Sequence, residues 1–143
     1  MAVDLNPMGE IREFKQKGCV LARHIPAELA WQPGLNFFSA DEEYLQVGSW
    51  GYSQGKQLLP HAHNVVPREV PLTQEVLYIR KGKIKASIYD SDDVLCAEWE
   101  VGAGDILILL GGGHGYEILE GETQVLEIKN GPYVGADADR RRL

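Results

Sequence analysis

The stretch EVLYIRKGKIKASIY, residues 75–89, decides the fold class of this chain. It holds two runs rich in β-branched and aromatic residues, Val76–Arg80 and Ile84–Tyr89, on either side of Lys81–Gly82–Lys83. Residues of this kind favour strands, and a short connection that contains glycine favours a tight turn. The stretch therefore predicts a β-hairpin.

Similar runs occur on both sides of this stretch, with glycine and aspartate between them. They predict strands at Cys19–His24, Tyr44–Ser53, Val94–Val101, Ile106–Leu110, His114–Leu119 and Gln124–Lys129. The run Ile106–Leu110 is apolar throughout, which places it at the centre of a sheet. The last two runs are predicted to pair around Glu120–Gly121–Glu122. Many short strands with such turns predict an all-β sandwich or barrel.

The length and charge of the chain limit its class and its partners. At 143 residues it can bury one core of its own. A net charge of −7 argues against nucleic acid, because binding phosphate needs a basic face. The run Arg140–Arg141–Arg142 is an exception that we expect to be solvated. Two isolated cysteines, no long apolar stretch and no signal-peptide pattern predict a cytoplasmic protein that does not bind membranes.

Three of the four histidines fall at positions that suit a metal site. His61 and His63 are one residue apart, and side chains at i and i+2 of a strand point to the same side. If residues 56–63 form a strand, both imidazoles project into one space. Glu75 and His114 offer a carboxylate and a third imidazole. His24 lies apart from these and is expected at a polar strand edge.

The spacing of these residues resembles the first motif of the cupin superfamily of small β-barrels. That motif runs glycine, five residues, His-x-His, a short spacer, glutamate, six residues and glycine. Here Gly55 is followed by KQLLP and then His61, and Glu75 is followed by VLYIRK and then Gly82. Both outer spacings match the family.

The middle spacing departs from the family pattern. Eleven residues, NVVPREVPLTQ, separate His63 from Glu75, where cupins usually have three or four. Two prolines suit this insert to a surface loop or lid. Glu69 lies inside the insert and is the rival carboxylate, although the strand pattern after Glu75 favours Glu75. The second cupin motif is resembled by Gly104–DILILLGGG–His114, which is one residue shorter than usual.

The resemblance implies a double-stranded β-helix, or jelly-roll barrel, over residues 41–133. Residues 1–40 would be a short irregular or strand-forming extension that packs on the barrel, and residues 134–143 a polar tail. The implied metal ligands are His61, His63, Glu75 and His114. Three imidazoles and a carboxylate suit one divalent transition metal, namely Fe, Mn, Ni or Zn, and leave coordination sites for a substrate.

Further candidates for chemistry follow from strand alternation. Tyr116 shares the face of His114 and could donate a hydrogen bond or a proton. In the run VLEIK, either Leu126 and Ile128 face inward, or Val125 does together with Glu127 and Lys129. The second arrangement would add an acid–base pair, whereas charges on the outer face are the commoner arrangement. Arg68 in the insert could bind an anionic group of a substrate.

Two functions remain open at this point. The first is a metal-dependent enzyme that acts on a small polar metabolite, by oxygenation or by Lewis-acid isomerase or lyase chemistry. Some small cupins act in carbohydrate metabolism, so a carbohydrate-related substrate is implied by resemblance alone. The second is a non-catalytic module that binds or senses a small ligand. Cupin barrels commonly pair through strand edges, so a homodimer is expected.

Overall fold

The computed structural model describes residues 9–143 and consists almost entirely of β-strands. The first eight residues of the expected N-terminal extension lie outside this range. The elements, in chain order, are β1 Arg12–Gln16, β2 Cys19–Ile25, β3 Gly34–Phe37, β4 Gly48–Gly51, β5 Glu75–Lys81, β6 Lys83–Tyr89, β7 Leu95–Gly102, β8 Ile106–Leu109, β9 Gly113–Ile118, β10 Gln124–Lys129 and α1 Ala136–Asp139.

These strands form three antiparallel sheets. The largest has the order β1-β2-β8-β5-β10, a second has the order β7-β6-β9, and β3 and β4 form a two-stranded sheet. None of the three closes on itself within the part of the chain that the structure describes. β8 lies between β2 and β5, which agrees with its apolar sequence. Residues 12–25 of the expected extension supply two strands of the largest sheet.

The predicted hairpin over residues 75–89 is wrong, although both strands exist. β5 lies in the five-stranded sheet and β6 in the three-stranded sheet. Between them Gly82 has a φ of 85°, and a Cβ there would strike Thr123. Glycine at this position therefore lets the chain turn a corner between sheets. β9 and β10 were also predicted to pair, yet β9 pairs with β6 and β10 with β5.

Two apolar clusters hold the sheets together, one on each face of the five-stranded sheet. Leu77, Ile79 and Leu107 lie in the cluster shared with the three-stranded sheet. Val76 and Ile108, from the same two strands, lie in the cluster on the opposite face. Because successive strand residues point to opposite faces, β5 and β8 are buried on both sides. This fixes which face of β5 carries Glu75.

The segment between β4 and β5 contains fewer strand residues than the sequence predicted. The strand expected over Tyr44–Ser53 is reduced to Gly48–Gly51, and the strand expected over residues 56–63 is not formed. Residues 51–72 are exposed throughout. Pro60, Pro67 and Pro71 lack backbone donors, which removes ladder hydrogen bonds from this segment. We call residues 52–74 the HAH segment.

A buried polar cluster joins the N-terminal strands to the rest of the large sheet. The Asp105 carboxylate accepts hydrogen bonds from the backbone N–H groups of Ala27 and Gly102, at 2.7 and 2.8 Å. It also accepts one from His24 Nε2 at 2.9 Å, and His24 Nδ1 accepts from the Arg12 guanidinium. His24 is buried on an inner strand, so the expectation of a strand-edge position was wrong.

This cluster makes stability depend on pH. Burial by itself raises the pKa of Asp105, but the hydrogen bonds from His24, Gly102 and Ala27 outweigh burial and lower it. A carboxyl with a lowered folded-state pKa stabilises the fold above its unfolded pKa of about 3.9. That stabilisation is lost as the pH falls through the folded-state pKa.

We therefore expect Asp105→Asn to lower the free energy of unfolding by about 1.5–3 kcal/mol near neutral pH, the usual contribution of hydrogen bonds to a charged group. The difference from the native chain should shrink as the pH falls below about 4. Urea unfolding at several pH values measures it. Asp41→Asn, at an exposed position, is the matched control. A difference that stays constant down to about pH 2 would contradict this role of Asp105.

Candidate metal centre

The predicted metal residues Glu75 and His114 come together at a cavity of about 600 Å³. Glu75 begins β5 in the five-stranded sheet, and His114 lies on β9 in the three-stranded sheet. Their Oε2 and Nε2 atoms are 2.6 Å apart, with Glu75 buried and the His114 side chain one-third exposed. The cavity therefore has one wall from each sheet.

The contact between Glu75 and His114 leaves one buried carboxylate oxygen without a well-formed hydrogen bond. Glu75 Oε2 is buried and has no hydrogen bond of acceptable geometry, despite its closeness to His114 Nε2. A buried carboxylate oxygen needs a compensating positive charge, which an imidazolium or a bound cation can supply. Donor atoms that share one transition metal each lie about 2.1 Å from it, so neighbouring donors lie about 3 Å apart. At 2.6 Å the two atoms are in direct contact, so the side chains would have to separate slightly to bind one divalent ion together.

Two charged residues of β10 face the same cavity. In the register of β5 and β10, Lys129 is opposite Glu75 and Glu127 is opposite Leu77, which points into the core. Lys129 Nζ is 3.5 Å from Glu75 Oε1 and 3.8 Å from Glu127 Oε2. The commoner arrangement, with both charges on the outer face, is therefore wrong here. All six residues of β10 are exposed, so Glu127 and Lys129 face the cavity from its open side.

The two carboxyl groups have opposite pKa shifts. Burial alone raises the pKa of Glu75, but the close contact with His114, a hydrogen bond from Glu127 and the charges of His114 and Lys129 lower it to about 2. The hydrogen bond to Glu75 raises the pKa of Glu127, and burial and the charge of Glu75 act in the same direction. Glu75 is therefore the ionised carboxylate of the pair, and Glu127 is the carboxyl group that keeps its proton to a higher pH.

Tyr116 lies beside His114, as the alternation predicted. The two ring centroids are 5.3 Å apart, and Tyr116 lines the cavity. Burial, followed by the charges of Glu75 and Glu127, raises the pKa of the phenol far above its ordinary value. The hydroxyl is therefore a hydrogen-bond donor at neutral pH.

The other two predicted ligands are not at this cavity. His61 and His63 lie in the exposed HAH segment and do not line the cavity, although their rings are in contact, with centroids 5.1 Å apart. Arg68 and Glu69 are exposed in the same segment. Within residues 9–143 no group of three or more His, Cys, Asp and Glu side chains is placed to hold a metal ion.

The C-terminal residues cover part of the cavity, which the sequence did not predict. Arg141 donates two hydrogen bonds of 2.8 Å to Asp93, and Thr73 donates one to Asp139. A Cβ at Gly113 would strike Leu143. Residues 139–143 line the cavity, so the arginine run expected to be solvated has its middle member in an ion pair. In the sequence, the positive charge of this arginine run was the one feature that could have predicted its position beside the acidic side chains of the cavity.

Comparisons with protein-family models, with curated proteins and with solved structures find no match for this chain. Cys19 and Cys96 are both free thiols. Among the described residues no helix has the length and hydropathy needed to cross a membrane.

Proposed function

We propose that this chain is a divalent-metal-binding protein of the cupin type, and that its two larger sheets belong to a double-stranded β-helix. The observation that carries the proposal is the contact of Glu75 with His114, which brings a buried, unsatisfied carboxylate oxygen within 2.6 Å of an imidazole nitrogen. These are two of the four ligands that the resemblance implies. His61 and His63 supply the other two.

The donor set suits Fe, Mn, Ni or Zn, since imidazole and carboxylate donors serve all four ions. A bound ion would supply a Lewis acid for a substrate hydroxyl, carbonyl or carboxylate, and iron would also allow chemistry with oxygen. The substrate class is a small polar metabolite, because the cavity holds about 600 Å³ and is lined by charged side chains.

Three residues of the cavity can bind and transfer protons around such a substrate. Glu127 retains its proton more readily than an ordinary glutamate and can act as a general acid. Tyr116 can donate a hydrogen bond to a substrate oxygen through its neutral hydroxyl. Lys129 lies within 4 Å of both carboxyl groups and can bind an anionic group of the substrate. These roles favour an enzyme over a passive binding module.

Titration of the metal-free, untagged protein with Co²⁺ tests the proposal. We expect one saturable site per chain with visible absorption from the bound ion. In His114→Ala that affinity should fall by more than about 100-fold, because changes to groups that merely support a ligand already cost 10–100-fold. A native chain that binds no Co²⁺ would refute the metal function.

The enzymatic part has a separate test. Small hydroxy and oxo acids and sugars are offered to the metal-loaded protein, with and without oxygen. Turnover that Glu127→Gln reduces at least about tenfold supports an enzyme with Glu127 as its acid. Thermal stabilisation by one of these compounds, without turnover of any, would instead identify a binding module.

A further inference from the structure

Residues 139–143, which we call the strap, form one side of the cavity, and all five of them line it. Arg141 donates two hydrogen bonds of 2.8 Å to Asp93, in the turn after β6. Leu143 lies against Gly113 at the start of β9, where a Cβ would strike it. The strap is therefore attached to two different parts of the three-stranded sheet, and its other side chains are held beside the cavity.

Arg140 and Arg142 lie on either side of this attached arginine and line the same cavity. Within residues 9–143 neither guanidinium group has an ion-pair or hydrogen-bond partner. Arg141 does not serve in their place, because its two terminal nitrogens already donate to Asp93. The strap thus brings two unpaired positive charges to the cavity.

The acidic side chains of the lining all have partners of their own. These side chains are Glu75, Asp90, Asp93, Glu127 and Asp139. The three aspartates accept hydrogen bonds from Arg141, from Thr73 and from backbone N–H groups in the turn after β6. The two glutamates both lie within 4 Å of Lys129 Nζ. The charged side chains of the lining that lack a partner are therefore the two arginines.

A guanidinium group suits one class of ligand. It is planar, it stays charged in proteins, and its N–H donors match the paired oxygens of a carboxylate or phosphate group. Two such groups held two residues apart repel each other, and an anion bound between them removes the repulsion. Lys129 of β10 adds a further cation to the lining. A cavity of about 600 Å³ has room for a small molecule.

We propose that Arg140 and Arg142 bind an anionic group of the ligand, so that the cavity takes a small carboxylate or phosphate compound. This inference names the substrate class of the proposed function, and it rests on that proposal only in taking the cavity as the ligand site. The anion binds to the strap whether or not Glu75 and His114 hold a metal ion. Arg68, the anion-binding candidate from the sequence, is exposed in the HAH segment and does not line the cavity.

Calorimetric titration of the metal-free, untagged protein with citrate and with pyrophosphate tests this inference. We expect one saturable site per chain for at least one of the two anions, and the tighter of them distinguishes a carboxylate ligand from a phosphate ligand. Arg140→Gln with Arg142→Gln should weaken this binding at least about tenfold, because charge-assisted hydrogen bonds are about twice as strong as neutral ones. Glucose, which is uncharged, should not bind.

Arg68→Gln with Arg80→Gln is the matched control. It removes the same number of charges from exposed positions outside the cavity lining. We expect an anion affinity within about twofold of the native value, because solvent and salt screen exposed charges that do not contact the ligand. All four arginines are exposed, so both variants should keep the circular dichroism of the native chain. An equal loss of binding in the two variants would overturn the inference.

Chemical labelling locates the bound anion without any substitution. Phenylglyoxal modifies accessible arginine side chains, and mass spectrometry of the digested protein gives the extent of modification at each position. We expect the bound anion to protect Arg140 and Arg142 and to leave the modification of Arg68 and Arg80 unchanged.

The outcomes separate this inference from the metal proposal. A native chain that binds neither anion, or that binds one without protecting the two strap arginines, would overturn the inference whatever the Co²⁺ titration shows. A native chain that binds an anion at the strap and no Co²⁺ would support the inference and refute the metal site alone.

Discussion

Glu75→Gln is expected to weaken divalent-metal binding by more than about 100-fold, beyond what loss of a supporting residue costs. Glu75 is the anionic member of the proposed set, and the other three ligands are neutral imidazoles. Its pKa of about 2 means that no proton has to leave the carboxylate before a metal binds at neutral pH. Glutamine keeps the size of the side chain and removes its charge. Co²⁺ titration of metal-free protein measures the loss.

Glu69→Gln is the matched control for this substitution. Glu69 is exposed in the HAH segment, six positions after His63, and is the rival carboxylate by sequence spacing. Its replacement should leave the Co²⁺ affinity within about twofold of the native value, because solvent and salt screen an exposed charge that is not itself a ligand. If Glu69→Gln removed binding and Glu75→Gln did not, the carboxylate would be Glu69.

Trp99→Ala should lower the free energy of unfolding by about 3–5 kcal/mol, the cost of emptying a large aromatic site in a core. Trp99 lies on β7 and is 1% exposed, within the cluster between the two larger sheets. The Arg12 guanidinium lies 4.7 Å from the centre of its ring. Loss of the ring therefore removes apolar packing and a cation–π contact together. Urea unfolding, followed by circular dichroism, measures the change.

Trp50→Ala controls for the loss of a tryptophan as such. Trp50 lies on β4 and is 60% exposed, so we expect a change within about 0.5 kcal/mol. Trp99→Phe should cost clearly less than Trp99→Ala, since the buried Trp99 Nε1 has no hydrogen-bond partner to lose. Equal losses in the Trp50 and Trp99 alanine variants would contradict a core held by Trp99.

The strands were predictable from sequence because their burial pattern is local. Leu77 and Ile79 are buried and Tyr78 is exposed, as strand alternation after Glu75 predicts. The pairing of strands was not predictable in the same way. Glycine at positive φ serves a hairpin and a corner between sheets equally, and only the contact of Gly82 with Thr123 distinguishes them.

The site was predictable where its residues are neighbours on one strand, and it was not where they come from different strands. Tyr116 follows His114 by two positions on one strand, so local alternation brings them together. Glu127 and Lys129 depend on the register of β10 against β5, which the alternation of VLEIK leaves open. The position of His61 and His63 depends on what the HAH segment packs against. No local pattern contains that information.

Elemental analysis of the untagged native protein, produced in medium supplemented with iron, manganese, nickel and zinc, tests the metal site most directly. Glu75, His114 and the two segment histidines predict about one transition-metal ion per chain. The bound ion should remain through gel filtration, and its identity selects the reaction class to be assayed. Metal clearly below one ion per two chains, in protein whose circular dichroism shows a folded β-structure, would contradict the account.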